Sequence, residues 1–321
     1  MKNAIKKIIK NPTLLLMLVV FLILAAYAIS VLFILSWGGI TTLKSIDEFD
    51  LGNILGLPDP QLSAEQIRLK NYSLAILGFE TTIGDESYLS SIFGYIEHPK
   101  TYANFWALTF NSIIYAVLGT LVNAFTCMTV AYICAKYRFR FCEFIYSMVV
   151  VIMIIPIVGN YPASIAVMKD LGLFNSYLGM IVQRITFTGM YFLVFYAFFQ
   201  SVPDSFVEAA EIDGASQVSV YLKIILPLAI KIMSTVWLLL FIDAWNNYTV
   251  TIMYFPSLPT LSAAITAVAN QSIHSNPLLK GQWGTPQKIA SCMLITFPLI
   301  IIFTIFHNKI LGDVSMGGLK E

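Results

Sequence analysis

Long apolar runs separated by short polar segments dominate this chain. The first run extends from Pro12 to Trp37, and further runs lie near 105–135, 141–168, 176–200, 227–254 and 286–311. Each reaches about 20 residues or more, the length at which a helix crosses a bilayer, so the pattern predicts six transmembrane helices. The first run is roughly twice as long as a signal-peptide core and lacks a small-residue cleavage site, so it reads as a retained helix. The third run is interrupted by Pro156, Gly159 and Pro162. Such a break is tolerated in a membrane where protein or a water-filled cavity covers the freed backbone, and both a pathway-lining interruption and a packing kink remain open.

Composition agrees with the pattern. Of 321 residues, 58% are hydrophobic and only 12% charged, with a mean hydropathy of +0.77, which fits neither a soluble surface nor a disordered chain. The formal net charge is +1, leaving no basic excess to neutralise a phosphate backbone, so nucleic acid is not a partner. Cys127, Cys134, Cys142 and Cys292 lie in or beside apolar stretches, and His98, His274 and His307 are scattered. No disulfide framework and no metal site is legible in that spacing.

Orientation follows from the basic residues flanking each span. On the side of the N-terminus fall Lys2, Lys6, Lys7, Lys10, Lys136, Arg138, Arg140, Lys223, Lys231, Lys309 and Lys320, against seven Lys and Arg on the other side. The compact Lys136-Tyr-Arg-Phe-Arg140 carries most weight, and both termini are expected in the cytoplasm. The division expected is a cytoplasmic N-terminus at 1–11, the first helix at 12–37, an extracytoplasmic loop at 38–104, a five-helix core at 105–311 and a cytoplasmic tail at 312–321. The loop carries nine acidic residues against four basic ones. Its Gly and Pro punctuation and apolar patches such as Leu74–Phe79 suit a small cap packed on the bundle. The sequons at Asn71 and Asn247 read as accidental, and Trp37, Trp106 and Trp283 as interfacial aromatics.

Between the fourth and fifth runs, residues 201–227 are too polar to span a membrane and too patterned for a linker. Pro203 and Asp204 supply a helix start, Glu208-Ala209-Ala210-Glu211 favours helix, and Gly214 permits a sharp exit. A second short helix is expected from about Ser216 to Ile225, with Pro227 opening the next span.

Glu208-Ala209-Ala210, Gly214, Ile224, Leu226 and Pro227 stand at the spacing of the signature loop of permease subunits of ATP-binding-cassette (ABC) importers. The words around them resemble the carbohydrate branch typified by the second membrane subunit of maltose importers. The similarity extends to Asn111-Ser112, Ala131-Tyr132, the Pro156 break, Leu171–Asn175, Trp245-Asn246 and the tail ending Gly317–Lys320. The first outer loop is longer than that branch has. The resemblance implies an all-α polytopic fold of the type I importer permease with a cytoplasmic EAA coupling helix. It implies a non-catalytic subunit that binds no cofactor itself, ATP and Mg being used by a partner ATPase. The implied partners are a second homologous permease subunit in a heterodimer, two ABC ATPase subunits, an extracytoplasmic solute-binding protein and membrane lipid. The acidic Glu208, Glu211 and Asp213 imply a cleft with Arg or Lys, and Ala209, Ala210 and Gly214 allow close approach. No Walker-type phosphate loop occurs in the chain, so the work must come from another protein.

Ionisable groups inside spans are functional candidates by default. Arg184 and Asp243 fall at similar depth, about 11–17 Å below the outer surface at 1.5 Å per residue, close enough to pair. Asp243, Asn246, Asn247 and Thr251 share one face of an uninterrupted helix, flanked by Trp245 and Tyr248. That face suits the route of a hydroxyl-rich solute. A pair that locks two helices and asparagines that bond across helices is the competing structural reading. An ion-coupled secondary transporter would show two related halves, and an intramembrane enzyme a nucleophile with its base; neither pattern is present.

Overall fold

The computed structural model describes residues 12–59, 65–79, 81–83, 101–137, 139–155, 159–270, 279 and 281–314. The N-terminal lysines, Arg138, Pro156, acidic residues 80–97 of the outer loop and the Gly-rich tail lie outside the described residues. The described chain is almost wholly helical: α1 (Pro12–Thr41), α2 (Ile46–Asp50) and α3 (Glu65–Gly78), then the antiparallel strands β1 (Thr81–Ile83) and β2 (Thr101–Ala103), with Thr82 opposite Tyr102. There follow α4 (Phe105–Lys136), α5 (Arg140–Ile154), α6 (Tyr161–Asp170), α7 (Tyr177–Val182), α8 (Met190–Ser201), α9 (Ser205–Ile212), α10 (Gln217–Asn246), α11 (Tyr248–Tyr254), α12 (Leu261–Asn270) and α13 (Thr285–Val314). Among the described residues four helices are long and apolar enough to cross a membrane: α1, α4, α10 and the Thr285–Phe306 part of α13.

The third run is broken where its sequence is interrupted, and the fourth and fifth divide differently from their sequence reading. The third is split into α5 and α6, with Gly159 at φ +78° and Pro162 in the first turn of α6. Pro in a first turn loses nothing, because that N–H has no partner inside the helix. The fourth, expected as one helix over 176–200, is α7 and α8 separated by residues 183–189. Thr186 Oγ1 accepts from Thr188 N at 3.2 Å, and Gly189 takes φ +137°. Hydroxyls that bond their own backbone and a glycine outside the helical region end a helix even in an apolar run. The fifth, expected to begin at Pro227 and run unbroken to 254, begins at Gln217 and ends at Asn246. Asn247 then caps α11 by accepting from Val250 N at 3.2 Å.

Pro227 therefore lies inside a continuous helix. The turn before it, Tyr221–Ile225, is a π-turn, and Leu226 donates to Tyr221 O. Proline lacks a donor and its ring presses on the carbonyl four residues back, and a widened turn relieves both. A second π-turn, Ile113–Leu118, lies in α4.

The chain divides into two compact units. One comprises residues up to Gly78 together with Ser272–Leu294. Its centre is polar: buried Asn71 donates to Thr42 O at 2.8 Å and Lys44 O at 2.7 Å and accepts from Gln287 Nε2 at 2.7 Å. Fully buried Lys44 donates to Asn53 O at 2.6 Å and Ile54 O at 3.2 Å. Trp283 is buried too, its ring 2.3 Å from where a Cβ on Gly78 would stand, so it packs inside the unit and is no interfacial anchor.

The other unit, Phe79–Gln271 with Ile295 onward, has its core where α4, α8 and α10 meet. Ala124, Met128, Ala131 and Tyr132 pack with Phe192, Phe195, Phe199, Ile225 and Ala229. Lipid tails are as apolar as these side chains, so close approach at small residues and buried hydrogen bonds do the holding, not expulsion of water. Such bonds are present: Asn111 Nδ2 donates to Pro259 O at 2.9 Å, and Leu261 N to Ser112 Oγ at 2.8 Å.

Candidate functional site

The polar knob between α8 and α10 is built by helix capping. α9 ends at Asp213, after which Gly214 turns left-handed at φ +81°. Gly214 N donates to Glu211 O and Ala215 N to Ala210 O, both at 2.9 Å, the paired bonds of a Schellman ending. Ser216 then caps α10 by accepting from Ser219 N. Gly214 has open space around it, so a side chain is opposed there by backbone conformation alone. Glu208, Ala209, Glu211, Asp213 and Gly214 are exposed, while Ala210 is buried and joins the core. Leu226 is half-buried against that core and Pro227 is exposed. Ile212 is 87% and Val218 68% exposed, so an acidic rim surrounds apolar side chains that no described residue covers.

Asp204 stands at the start of α9, but its carboxylate does not cap the helix. It takes Lys136 Nζ at 2.6 Å, and the same Nζ donates to Val202 O at 2.5 Å. Tyr137 OH donates to Gln217 Oε1 at 2.5 Å, and Gln217 Nε2 donates in turn to Glu211. Lys136 enters the sequence reading only as a topogenic charge; Tyr137 and Gln217 carry no motif and are found only through the fold.

The second candidate region does bring Arg184 and Asp243 together, Nη2 to Oδ2 at 3.6 Å. Arg184 is not on a helix; it lies in the segment after α7, its guanidinium 5.4 Å from the Tyr115 ring centroid and its Nε buried without a hydrogen-bond partner. Its carbonyl accepts from Asn123 Nδ2, and Gly119 leaves room for its stem, since a Cβ there would stand 3.0 Å from Arg184 Cγ. The Arg184 side chain is 11% exposed and that of Asp243 65%.

The single face expected for Asp243, Asn246, Asn247 and Thr251 does not form, because the helix stops at Asn246. Asn246 is exposed and bonds its own helix at Ile242 O, 2.8 Å away. Asn247 is spent as a cap. Thr251 is fully buried and paired with Thr260 at 3.1 Å. Trp245 is also buried, donating to Ile295 O at 3.2 Å, whereas Tyr248 is 47% exposed. Asp243, Asn246 and Tyr248 are left exposed, with the largely buried Arg184 beside Asp243.

Residues 127–312 match the family model of the binding-protein-dependent transport system inner membrane component. The chain belongs to that family. As a member it is a multi-pass inner-membrane transport permease, and the match covers the knob, Arg184 and all of α10. It is 26% identical to the sulfoquinovosyl glycerol transport system permease protein of Agrobacterium fabrum, over 66% of this chain and 72% of that one. It is 28% identical to the trehalose transport system permease protein of Mycobacterium tuberculosis (65% and 75% covered). Identity to the sn-glycerol-3-phosphate transport system permease protein of Salmonella typhi is 27% (66% and 74%). The permease also superposes on a chain from a bacterial ABC transporter involved in the import of the acidic polysaccharide alginate, with TM-score 0.69, 18% identity, and 92% and 96% of the two chains covered. That likeness shows that the two chains share a fold.

Proposed function

We propose that this permease is one of two homologous membrane subunits of an ATP-driven importer, and that it translocates a carbohydrate handed over by an extracytoplasmic binding protein. The observation that carries the reading is the exposed knob at Ser205–Gly214, closed by the left-handed Gly214 and rimmed by Glu208, Glu211 and Asp213. A rigid acidic projection with apolar tips fits a basic cleft on an ATPase subunit, and closure of two such ATPases would rock the helices above, a hinge-type alternation of access. Six spans in all, with α5–α6 and α7–α8 as the broken ones, and both termini cytoplasmic complete the arrangement. One chain of this size leaves the pathway open on one side, so a second, distinct permease and two ATPases are the assembly we assign. The relatives that transport trehalose and sulfoquinovosyl glycerol support a sugar or sugar derivative as cargo. A phosphate ester is the second reading, favoured by the sn-glycerol-3-phosphate relative and by the cationic Arg184 beside Asp243. The exposed Asp243, Asn246 and Tyr248, with Arg184 beside Asp243, are proposed to line the route.

The test is ATPase activity of the reconstituted assembly with its binding protein, scanned over neutral sugars, acidic sugars and glycerol phosphates. Stimulation by one class names the cargo. Gly214→Val, which cannot hold a φ of +81° without strain of about 1–2 kcal/mol, is expected to abolish stimulation, and Gly214→Asn, which tolerates that conformation, to retain it. Full stimulation in Gly214→Val would remove the knob from coupling. No stimulation by any solute in an intact, basally active complex would overturn the carbohydrate cargo and leave the family in place.

A further inference from the structure

The knob is fastened to one helix, α4, at both of its arms. At its entry the last residue of α4, Lys136, with a side chain only 9% exposed, is held by Val202 O and Asp204 Oδ1. At its second arm the next residue, Tyr137, donates to Gln217, which donates to Glu211 on α9. Two turns back along α4, Thr129 Oγ1 and Tyr221 OH pair at 2.7 Å. Between them the Tyr132 ring is wedged against Phe199 (5.3 Å) and Tyr221 (5.1 Å). Every element that carries the knob, α8, α9 and the start of α10, thus reaches α4. The same helix holds the Arg184 segment through Asn123 and Gly119, about 20 Å and about 26 Å from Lys136 at 1.5 Å per residue.

We propose that Lys136 is a positioning residue that clasps the knob to α4, so that a displacement of the knob is carried by α4 as a rigid rod to the Arg184–Asp243 pair. This rests on the reading of Ser205–Gly214 as the ATPase contact. The covalent connections alone do not provide the link. Without the clasp the knob still hangs from α8 and α10 and still meets an ATPase, but it pivots at Val202–Asp204 and at the π-turn Tyr221–Ile225, where the helical ladder is already altered. Transmission needs a contiguous physical element with a defined attachment at each end, and α4 is the helix that has both.

The experiment uses the complete transporter in liposomes, with Cys127, Cys134, Cys142 and Cys292 replaced by Ser. Spin labels are placed at Ser205→Cys, the first residue of α9, and at Leu121→Cys on α4, both exposed positions. The label-to-label distance is measured without nucleotide and after trapping with ATP, Mg and vanadate. With Lys136 present the distance is expected to stay fixed on trapping, because knob and α4 move as one body. In Lys136→Met it is expected to shift or broaden while vanadate-sensitive ATP hydrolysis is retained, and Lys136→Arg is expected to restore the fixed distance. Asp204→Asn, a change at an exposed carboxylate that leaves the core untouched, is expected to behave as Lys136→Met. A distance in Lys136→Met and Asp204→Asn that stays as fixed as in the parent overturns the clasp, and so does a parent whose distance changes on trapping. If the parent assembly neither binds nor uses ATP, the importer reading itself fails, a result seen before any variant is made.

Discussion

At the scale of single residues, two hydroxyl and amide side chains that look alike in the sequence have opposite surroundings. Asn246 is exposed and bonded only within its own helix, whereas Thr251 is fully buried and paired with Thr260, which is in turn 3.0 Å from Ser262 Oγ. Asn246→Leu is therefore expected to lower solute uptake with thermal stability unchanged. Thr251→Val is expected to cost about 1 kcal/mol of stability, because it removes the buried bonds of the Thr251 hydroxyl to Thr260 and to Tyr248 O, leaving Thr260 with Ser262. Uptake assays beside thermal unfolding in detergent separate the two, and loss of stability in Asn246→Leu would remove it from the route. Asn71 shows the same divergence. Asn71 itself is buried and its amide is saturated by Thr42, Lys44 and Gln287, which agrees with the reading of its sequon as accidental.

At the scale of elements, helix ends were harder to read than helix cores. The apolar runs announce α1, α4, α10 and α13 plainly. The break after α7 turns on Thr186, Thr188 and Gly189, and the break after α10 on Asn247, a handful of polar residues inside strongly apolar stretches where a window average conceals them. Pro227 misleads in the opposite sense, since it marks a π-turn inside α10 and not a start. These local breaks place Arg184 on an irregular segment that Gly119 of α4 permits to approach. Gly119→Val would bring branched carbons onto Arg184 Cγ, now 3.0 Å from an added Cβ, and is expected to displace residues 183–189. The expected result is loss of most uptake with normal protein level in the membrane; uptake equal to the parent would show that the Arg184 segment has no part in transport.

At the scale of the whole molecule, topology and assembly decide function. The positive charges favour a cytoplasmic knob, and Ile212, the most exposed apolar residue of that knob, reports its side. In a background lacking the native cysteines, Ile212→Cys is expected to react with a membrane-impermeant maleimide in inside-out vesicles stripped of their ATPase subunits and not in intact cells. Labelling of intact cells would invert the orientation and with it the ATPase contact.

By itself the sequence determined the membrane class, the long spans, the capped turn at Gly214 and the family, because these rest on local rules: run length, a glycine at a left-handed position, and motif spacing. It also put Arg184 within reach of Asp243, although Arg184 stands on an irregular segment and not on the helix that the depth count assumed. Which of α10's polar residues stay open, where the short helices break, and the fastening of the knob to α4 by Lys136 and Tyr137 were decided by tertiary structure. Those depend on which side chains from distant segments compete for the same donors and the same space, and no spacing along one chain records the outcome of that competition.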